Sequence, residues 1–247
     1  MKSIGIIGYG IVGKATHKGL LSEQSVIIHD IRLDTKLEDL YVCDYAFFCI
    51  PTDTEASIQL LLEEIRLLKS YNPNIKIVIR STLPVGTCAM FETAIGDDIY
   101  YIPEFLRERM WEEDCFNRPL IVGSKNAKLP EWLQTEEFVS VTLEEAEVIK
   151  MMSNNMATAR VTIANHFYEL SQAVGADYDS VLQSYLQVNH DQNYLEVNDN
   201  LRGFGGKCLP KDLDFLIGTF ARLGLQQKYF TAIRDDNKLW PVTVRKS

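Results

Sequence analysis

The 247-residue chain lacks four things: a surplus of positive charge, a long apolar run, paired cysteines and low-complexity sequence. Lysine and arginine number 25 against 34 aspartates and glutamates, a formal charge of −9. A protein that coats nucleic acid or an anionic membrane usually carries the opposite sign, so neither partner is expected. No stretch reaches the roughly 18–20 apolar residues of a membrane-spanning helix. The amino terminus is broken by Gly8 and Gly10 too early to form a secretory signal, so the expectation is a cytoplasmic protein. The five cysteines are odd in number, widely spaced and contain no CxxC pair. That excludes a zinc ribbon or thioredoxin motif and argues against a disulfide framework. The four histidines show no metal-ligand spacing, and no metal is expected.

What is present is ordinary globular composition, 46% hydrophobic and 24% charged, in a length that suits one large domain or two modest ones. Ser3–Ile7, Val26–Asp30, Tyr45–Ile50 and Lys76–Arg80 are short apolar runs bounded by turn signals. Such runs suit strands buried on both faces of a parallel sheet. Ile99–Ile102, Leu120–Val122 and Phe138–Val141 read as further strands. Ser57–Leu68 between them has helical spacing, and the alternation predicts a doubly wound, Rossmann-like α/β domain over residues 1–141. From residue 142 the texture changes. Thr142 and Glu145 form a capping-box pattern ahead of a stretch free of Gly and Pro that runs to Gly175. Asp177–Val188 and Asp212–Leu223 also read as helices, so residues 142–247 are expected to be an all-helical domain with a long central helix.

Three constellations carry chemistry. Gly8-Tyr9-Gly10-Ile11-Val12-Gly13 is a GxGxxG turn after a strand and before a helix, with Asp30 22 residues beyond Gly8. Glycines there allow the tight turn, close approach of a pyrophosphate and close helix–strand packing. The acid at the end of the second strand suits an adenosine ribose and disfavours a 2′-phosphate, pointing to NAD, with Arg32 slightly weakening that preference. Pro51-Thr52 and Ser81-Thr82 end the third and fourth strands, where ligands bind in such sheets, although a cap or turn role suits each hydroxyl equally well. In the second constellation, Gly203-Phe204-Gly205-Gly206 precedes Cys208 and is flanked by Lys207 and Lys211. Glycines let the backbone wrap a ligand, and the positive neighbours favour a nucleophilic thiolate. Asp212 is read either as a helix cap or as a proton-handling group. Cys43, Cys49, Cys88 and Cys115 read instead as small buried hydrophobes. Third, Lys150 and Asn154 stand at i and i+4 on the long helix. Spacing alone favours a lysine that snorkels to water.

Taken together with Ser81–Thr87, Pro103–Glu108 and Ala146–Lys150, these motifs occur in the order found in a known family. The chain resembles the UDP-glucose/GDP-mannose 6-dehydrogenases. The resemblance implies oxidation of the C6 alcohol of a nucleotide sugar to a carboxylate, with two NAD per turnover. It implies Cys208 as nucleophile through a thiohemiacetal and a thioester, Lys150 and Asn154 at the oxyanion, and Asp212 at the hydrolytic water. Glu104 would assist hydrolysis and Thr82 would position water or substrate. It further implies cofactor contacts at Gly8, Gly10, Ile11, Val12, Gly13, Asp30, Arg32, Pro51, Thr52, Ser81, Thr82, Glu108 and Lys211. Substrate contacts are implied at Glu104, Phe105, Leu106, Lys150, Asn154, Phe204, Gly205, Gly206 and Cys208. Two departures stand out. Ile102 and Arg109 replace the Asn and Gly of many relatives, and the sequence stops at Ser247 without the second Rossmann-like domain that grips the nucleotide of the substrate. The expectation is therefore a short form, with a partner chain as one source of the missing domain. Two other readings compete with it: a two-domain 3-hydroxyacid-type dehydrogenase, and a non-catalytic NAD-binding regulator of a full-length relative. The length of the Glu144–Val174 helix predicts a homodimer packed along it.

Overall fold

The computed structural model describes residues 2–117, 119–125, 137–189 and 194–243. These fall into two compact units, residues 1–150 and 151–247.

The first unit is built on a seven-stranded sheet. In chain order the strands are β1 (Ser3–Ile7), β2 (Ser25–His29), β3 (Tyr45–Phe48), β4 (Lys76–Ile79), β5 (Ile99–Tyr101), β6 (Leu120–Ser124) and β7 (Phe138–Val141). Their spatial order is β2-β1-β3-β4-β5-β6-β7. All neighbours are parallel except β5 and β6, which pair antiparallel. The fold is therefore the expected Rossmann-like α/β class, with one antiparallel step at the β6–β7 edge. Alternate residues of each strand feed opposite faces. Ala46 and Phe48, with Ile77 and Ile79, enter one core, while Phe47 and Val78 enter the other. This two-sided burial is why the strands read as unbroken apolar runs rather than as alternating ones.

Helix α1 (Ile11–Leu20) follows β1, α2 (Glu55–Tyr71) follows β3 and α3 (Thr87–Ile95) follows β4. The short helix α4 (Trp111–Asp114) lies between β5 and β6. Helix α2 buries Leu61, Leu62, Ile65 and Leu68 on one stripe against the sheet. It is longer than Ser57–Leu68 because Thr54 caps it, accepting the Ser57 amide at 3.1 Å.

Helix α5 runs uninterrupted over Leu143–Val174, 32 residues. The capping box at its start forms as the sequence indicates. The Thr142 amide donates to Glu145 Oε2 at 2.8 Å, and the Glu145 amide donates to Thr142 Oγ1 at 3.3 Å. In the second unit, α6 (Tyr178–Val188) is capped by Asp177, and α7 (Cys208–Arg222) and α8 (Lys228–Asp236) follow. Phe204, Val161, Leu213 and Ile233 form the core there. Two details differ from expectation. The unit is not wholly helical, because β8 (Gly203–Phe204) pairs in parallel with β9 (Val242–Thr243). The helix expected over Asp212–Leu223 begins a turn earlier, at Cys208. Pro210 falls in its first turn, where a missing N–H breaks no helical bond. Asp212 therefore lies inside the helix and does not cap it.

Candidate active site

The phosphate-loop geometry follows from where a side chain could not be placed. Gly8 has φ +86°, and a Cβ there would stand 2.7 Å from the Cys49 carbonyl oxygen. A Cβ on Gly13 would lie 2.1 Å from the Gly8 carbonyl oxygen, so only glycine allows the helix to approach the strand this closely. Gly10 is different. The nearest atom to its missing side chain is Arg32 Nη2 at 3.8 Å, which leaves room in front of the backbone. Gly10 is the N-cap of α1 and no side chain caps that helix, so the amide ends at Ile11, Val12 and Gly13 are left for a ligand. These residues fit the pyrophosphate of a dinucleotide. Asp30 follows β2. It is buried, and it accepts the Tyr9 amide at 2.6 Å and the Arg32 amide at 2.9 Å.

The carboxyl ends of β3 and β4 carry the next group. Thr52 Oγ1 donates to the Thr82 carbonyl at 2.6 Å, and Ser81 Oγ donates to the Ile50 carbonyl at 2.7 Å. These two hydroxyls fasten one strand end to the next, which is the structural role the sequence left open. The Thr82 hydroxyl makes no bond to any described residue and remains available to a ligand or water. Pro51 is exposed beside Thr52.

Beyond β5 lies a buried ion pair. Lys150, 2% exposed, places Nζ 3.0 Å from Glu104 Oε1 and 2.6 Å from the Glu104 carbonyl oxygen. It does not snorkel. The ammonium also lies 5.4 Å from the centre of the Phe105 ring. Glu104 Oε2 accepts the Leu106 amide at 2.7 Å. Burial alone would raise the Glu104 carboxyl. The Lys150 charge, the Leu106 amide and the charge of Arg80 together outweigh it and hold the carboxyl below its ordinary value. Glu104 is thus an ionised, oriented and buried carboxylate. Phe105 and Glu108 are exposed, the latter opening a short 3₁₀ turn over Glu108–Met110.

In the second unit, Asn154 Nδ2 donates to Asp212 Oδ2 at 2.5 Å. Asp212 is completely buried, with Lys211 Nζ 3.6 Å from its Oδ1. Asn155 Nδ2 donates to the Met151 and Asp212 carbonyls, pinning α5 to α7. Cys208 is exposed at the first residue of α7, while the other four cysteines are buried, as their sequence contexts indicate. Burial pushes the Cys49 thiol up to about 11, with Arg80 opposing the rise. Ahead of Cys208, Gly206 takes φ +81° with open space around it, and Gly205 is half-buried. Phe204 points into the core, and both its backbone groups are held by the Asn237 side chain at 2.8 and 2.9 Å. The loop is therefore anchored at Phe204 and open at Gly206.

Sequence reasoning missed Arg80 and Asn155. Arg80 is a lone basic residue ending an apolar strand, a buried charge in all but name. Asn155 was hidden behind its neighbour Asn154.

Residues 144–239 match the central-domain model of the UDP-glucose/GDP-mannose dehydrogenase family. The chain is similar to that family over this stretch. It is 28% identical over 204 residues to the UDP-glucose 6-dehydrogenase of Rickettsia prowazekii, covering 76% of this chain and 46% of that protein. It is 26% identical over 230 residues to the GDP-mannose 6-dehydrogenase of Pseudomonas putida, covering 81% of this chain and 52% of that protein. It superposes on a UDP-glucose dehydrogenase from Pyrobaculum islandicum with a TM-score of 0.80 at 21% identity, over 97% of this chain and 68% of that one. That likeness is one of fold. The chain spans about half the length of the curated relatives it matches. The resemblance read from the motifs is thus borne out, and the Gly203–Asp212 motif falls inside the matched central domain.

Proposed function

We propose that the chain is the cofactor-binding and catalytic part of an NAD-dependent dehydrogenase that oxidises the C6 alcohol of a nucleotide sugar to a carboxylate. The observation that carries this reading is the exposed Cys208 at the start of α7, with the open glycine before it and the Asn154–Asp212 pair one turn beyond. Most lone cysteines are buried and inert, as the other four are here. An exposed one beside a ligand-wrapping loop suits nucleophilic catalysis.

Bound NAD supplies a hydride acceptor, used twice per sugar. The protein groups do the rest. The alcohol first loses a hydride and a proton to give an aldehyde. The Cys208 thiolate adds to its carbonyl carbon, and the oxyanion takes a proton to give a thiohemiacetal. Loss of a second hydride and a proton leaves a thioester. Water then attacks, the C–S bond breaks, the thiolate returns and the acid departs. Overall, one alcohol, one water and two oxidised cofactors yield one carboxylate, two reduced cofactors and three protons. The resemblance gives Lys150 and Asn154 the oxyanions, a task that a fixed, buried positive charge suits. Glu104 and Asp212 orient the water and receive its proton. Thr82 offers the hydroxyl that no described residue uses. Gly8–Gly13 and Asp30 hold the dinucleotide, and the Gly203–Gly206 loop holds the sugar.

The working form in this reading is a homodimer joined along α5. Met152, Met156, Ile163, Phe167, Leu170 and Val174 are exposed on that helix. At 100° per residue they fall within about 60° of one another, a single apolar stripe that a second copy of the same helix would cover.

The test follows NADH absorbance with NAD and UDP-glucose or GDP-mannose. Two NADH per sugar, and failure of the second oxidation in Cys208→Ser, support the reading. A single NADH per substrate, unaffected by Cys208→Ser, would indicate a one-step hydroxyacid-type dehydrogenase. NAD binding without turnover would indicate a non-catalytic partner or a missing domain.

A further inference from the structure

Asp30 is the acid expected to receive the adenosine ribose, yet the chain's own Arg32 already occupies it. Arg32 Nε donates to Asp30 Oδ1 at 2.9 Å, and Arg32 Nη2 donates to Oδ2 at 2.9 Å. With the Arg32 amide on Oδ1 and the Tyr9 amide on Oδ2, each carboxylate oxygen accepts two bonds. An ionised carboxylate offers about four acceptor positions, so the set is full. The two amides are part of the turn. The guanidinium is the removable half: the Arg32 side chain is 69% exposed while that of Asp30 is 6% exposed. The guanidinium also overhangs the loop, with Nη2 the nearest atom to the position a Gly10 side chain would take.

Resting on the dinucleotide reading above, we propose that Arg32 is a latch over the ribose pocket and sets its choice between NAD and NADP. Closed, it fills the lone pairs that the 2′- and 3′-hydroxyls need. NAD binds only after exchanging two charge-assisted bonds for two hydroxyl bonds, so its affinity is held down. Open, the displaced guanidinium is tethered two residues from Asp30. There it can form a bidentate pair with a 2′-phosphate and offset the repulsion that Asp30 exerts. The same side chain thus weakens NAD and tolerates NADP. A bare acid at this position discriminates strongly, and an acid carrying its own guanidinium does not.

Isothermal titration calorimetry with NAD and with NADP, without sugar, tests this on the whole chain. Arg32→Ala should bind NAD about three- to tenfold more tightly than wild type, the scale of an exposed pair with good geometry. It should bind NADP about tenfold more weakly. In an Asp30→Asn background, Arg32→Ala should no longer tighten NAD, because the latch has no strike plate. Arg32 is exposed and the two backbone amides stay on Asp30, so its variant should melt within a few degrees of wild type. If Arg32→Ala leaves NAD affinity unchanged or lowers it, the latch is wrong and the arginine contacts the ligand directly. If NADP affinity is unchanged, the selectivity role is wrong. Binding of neither nucleotide to wild type overturns the dinucleotide reading itself and the latch with it, a result distinct from tight NAD binding that ignores Arg32.

Discussion

Lys150 Nζ lies 3.0 Å from Glu104 Oε1 with both side chains nearly sealed from solvent, so neither charge can be removed alone without stranding the other. A buried pair adds little net stability, but breaking one is expensive because the survivor keeps its desolvation cost. Lys150→Ala should destabilise the protein by about 3 kcal/mol or more, a fall of roughly 10 °C in Tm. Arg80 limits the loss by remaining near Glu104. Lys150→Met with Glu104→Gln should recover part of the stability, because no charge is then stranded. Differential scanning fluorimetry of wild type and the two variants checks the order. A single Lys150→Ala variant that melts with wild type would show the pair to be solvated.

Acid should find the same pair. The native Glu104 carboxyl titrates below its unfolded value, because Lys150, the Leu106 amide and Arg80 overcome its burial. The folded state then binds the proton more weakly than the unfolded chain. The stabilisation is complete above the ordinary glutamate value of about 4.3 and drains away as pH falls below it. Glu104→Gln should be less stable than wild type at pH 7 and should show a shallower loss between about pH 5 and pH 3. Urea titrations across that window measure both slopes.

Cysteine labelling separates Cys208 from the rest. Four of the five thiols are buried. Ellman's reagent should modify one thiol in the native protein and five in denaturant, and Cys208→Ser should abolish the native reaction. Burial also holds the Cys43 and Cys49 thiols above their ordinary range, which slows any reaction they have during breathing motions. Labelling of Cys49 or Cys88 in the native state would contradict the two-sided core.

Much of the fold was legible because it rests on local rules. Runs such as Lys76–Ile79 are apolar on both faces, and Thr142 with Glu145 is a capping box in sequence and in space. What was hidden depends on residues far apart in the chain. Glu104 meets Lys150 across 46 positions and Asn154 meets Asp212 across 58. No periodicity reports such a meeting, so Lys150 looked like a residue that reaches for water. The start of α7 was hidden for another reason. Pro210 reads as a helix breaker in a linear scan and is harmless only because it falls in the first turn. Arg32 was visible as a nearby basic residue, but not that it doubly bonds the acid it follows.

The loop glycines should separate folding from binding. Gly13→Ala would drive a methyl to within 2.1 Å of a backbone oxygen that cannot move without breaking β1 from α1. The cost should be at least about 1–3 kcal/mol, as for overpacking, with a matching fall in Tm. Gly10→Ala meets nothing closer than 3.8 Å and should melt near wild type. Its methyl instead enters the space in front of the backbone, so NAD affinity should fall by at least about tenfold, or 1.4 kcal/mol. Thermal melts and calorimetry of both variants decide the point. Gly10→Ala with wild-type NAD affinity would place the pyrophosphate somewhere else.

The apolar stripe on α5 gives the oligomer a direct test. Exposed methionine, isoleucine, phenylalanine and leucine on one helix face cost solubility unless covered, and six within about 60° make a continuous seam. Light scattering at micromolar concentration should give twice the 28.2 kDa chain mass. Met156→Glu with Phe167→Glu places two charges on that seam and should yield a monomer that keeps its helical circular dichroism. Both side chains are already exposed, so the substitutions remove no contact within the chain core. A wild-type mass of 28.2 kDa at tens of micromolar would rule out self-pairing. A dimer that survives both charges would move the interface off this face of α5.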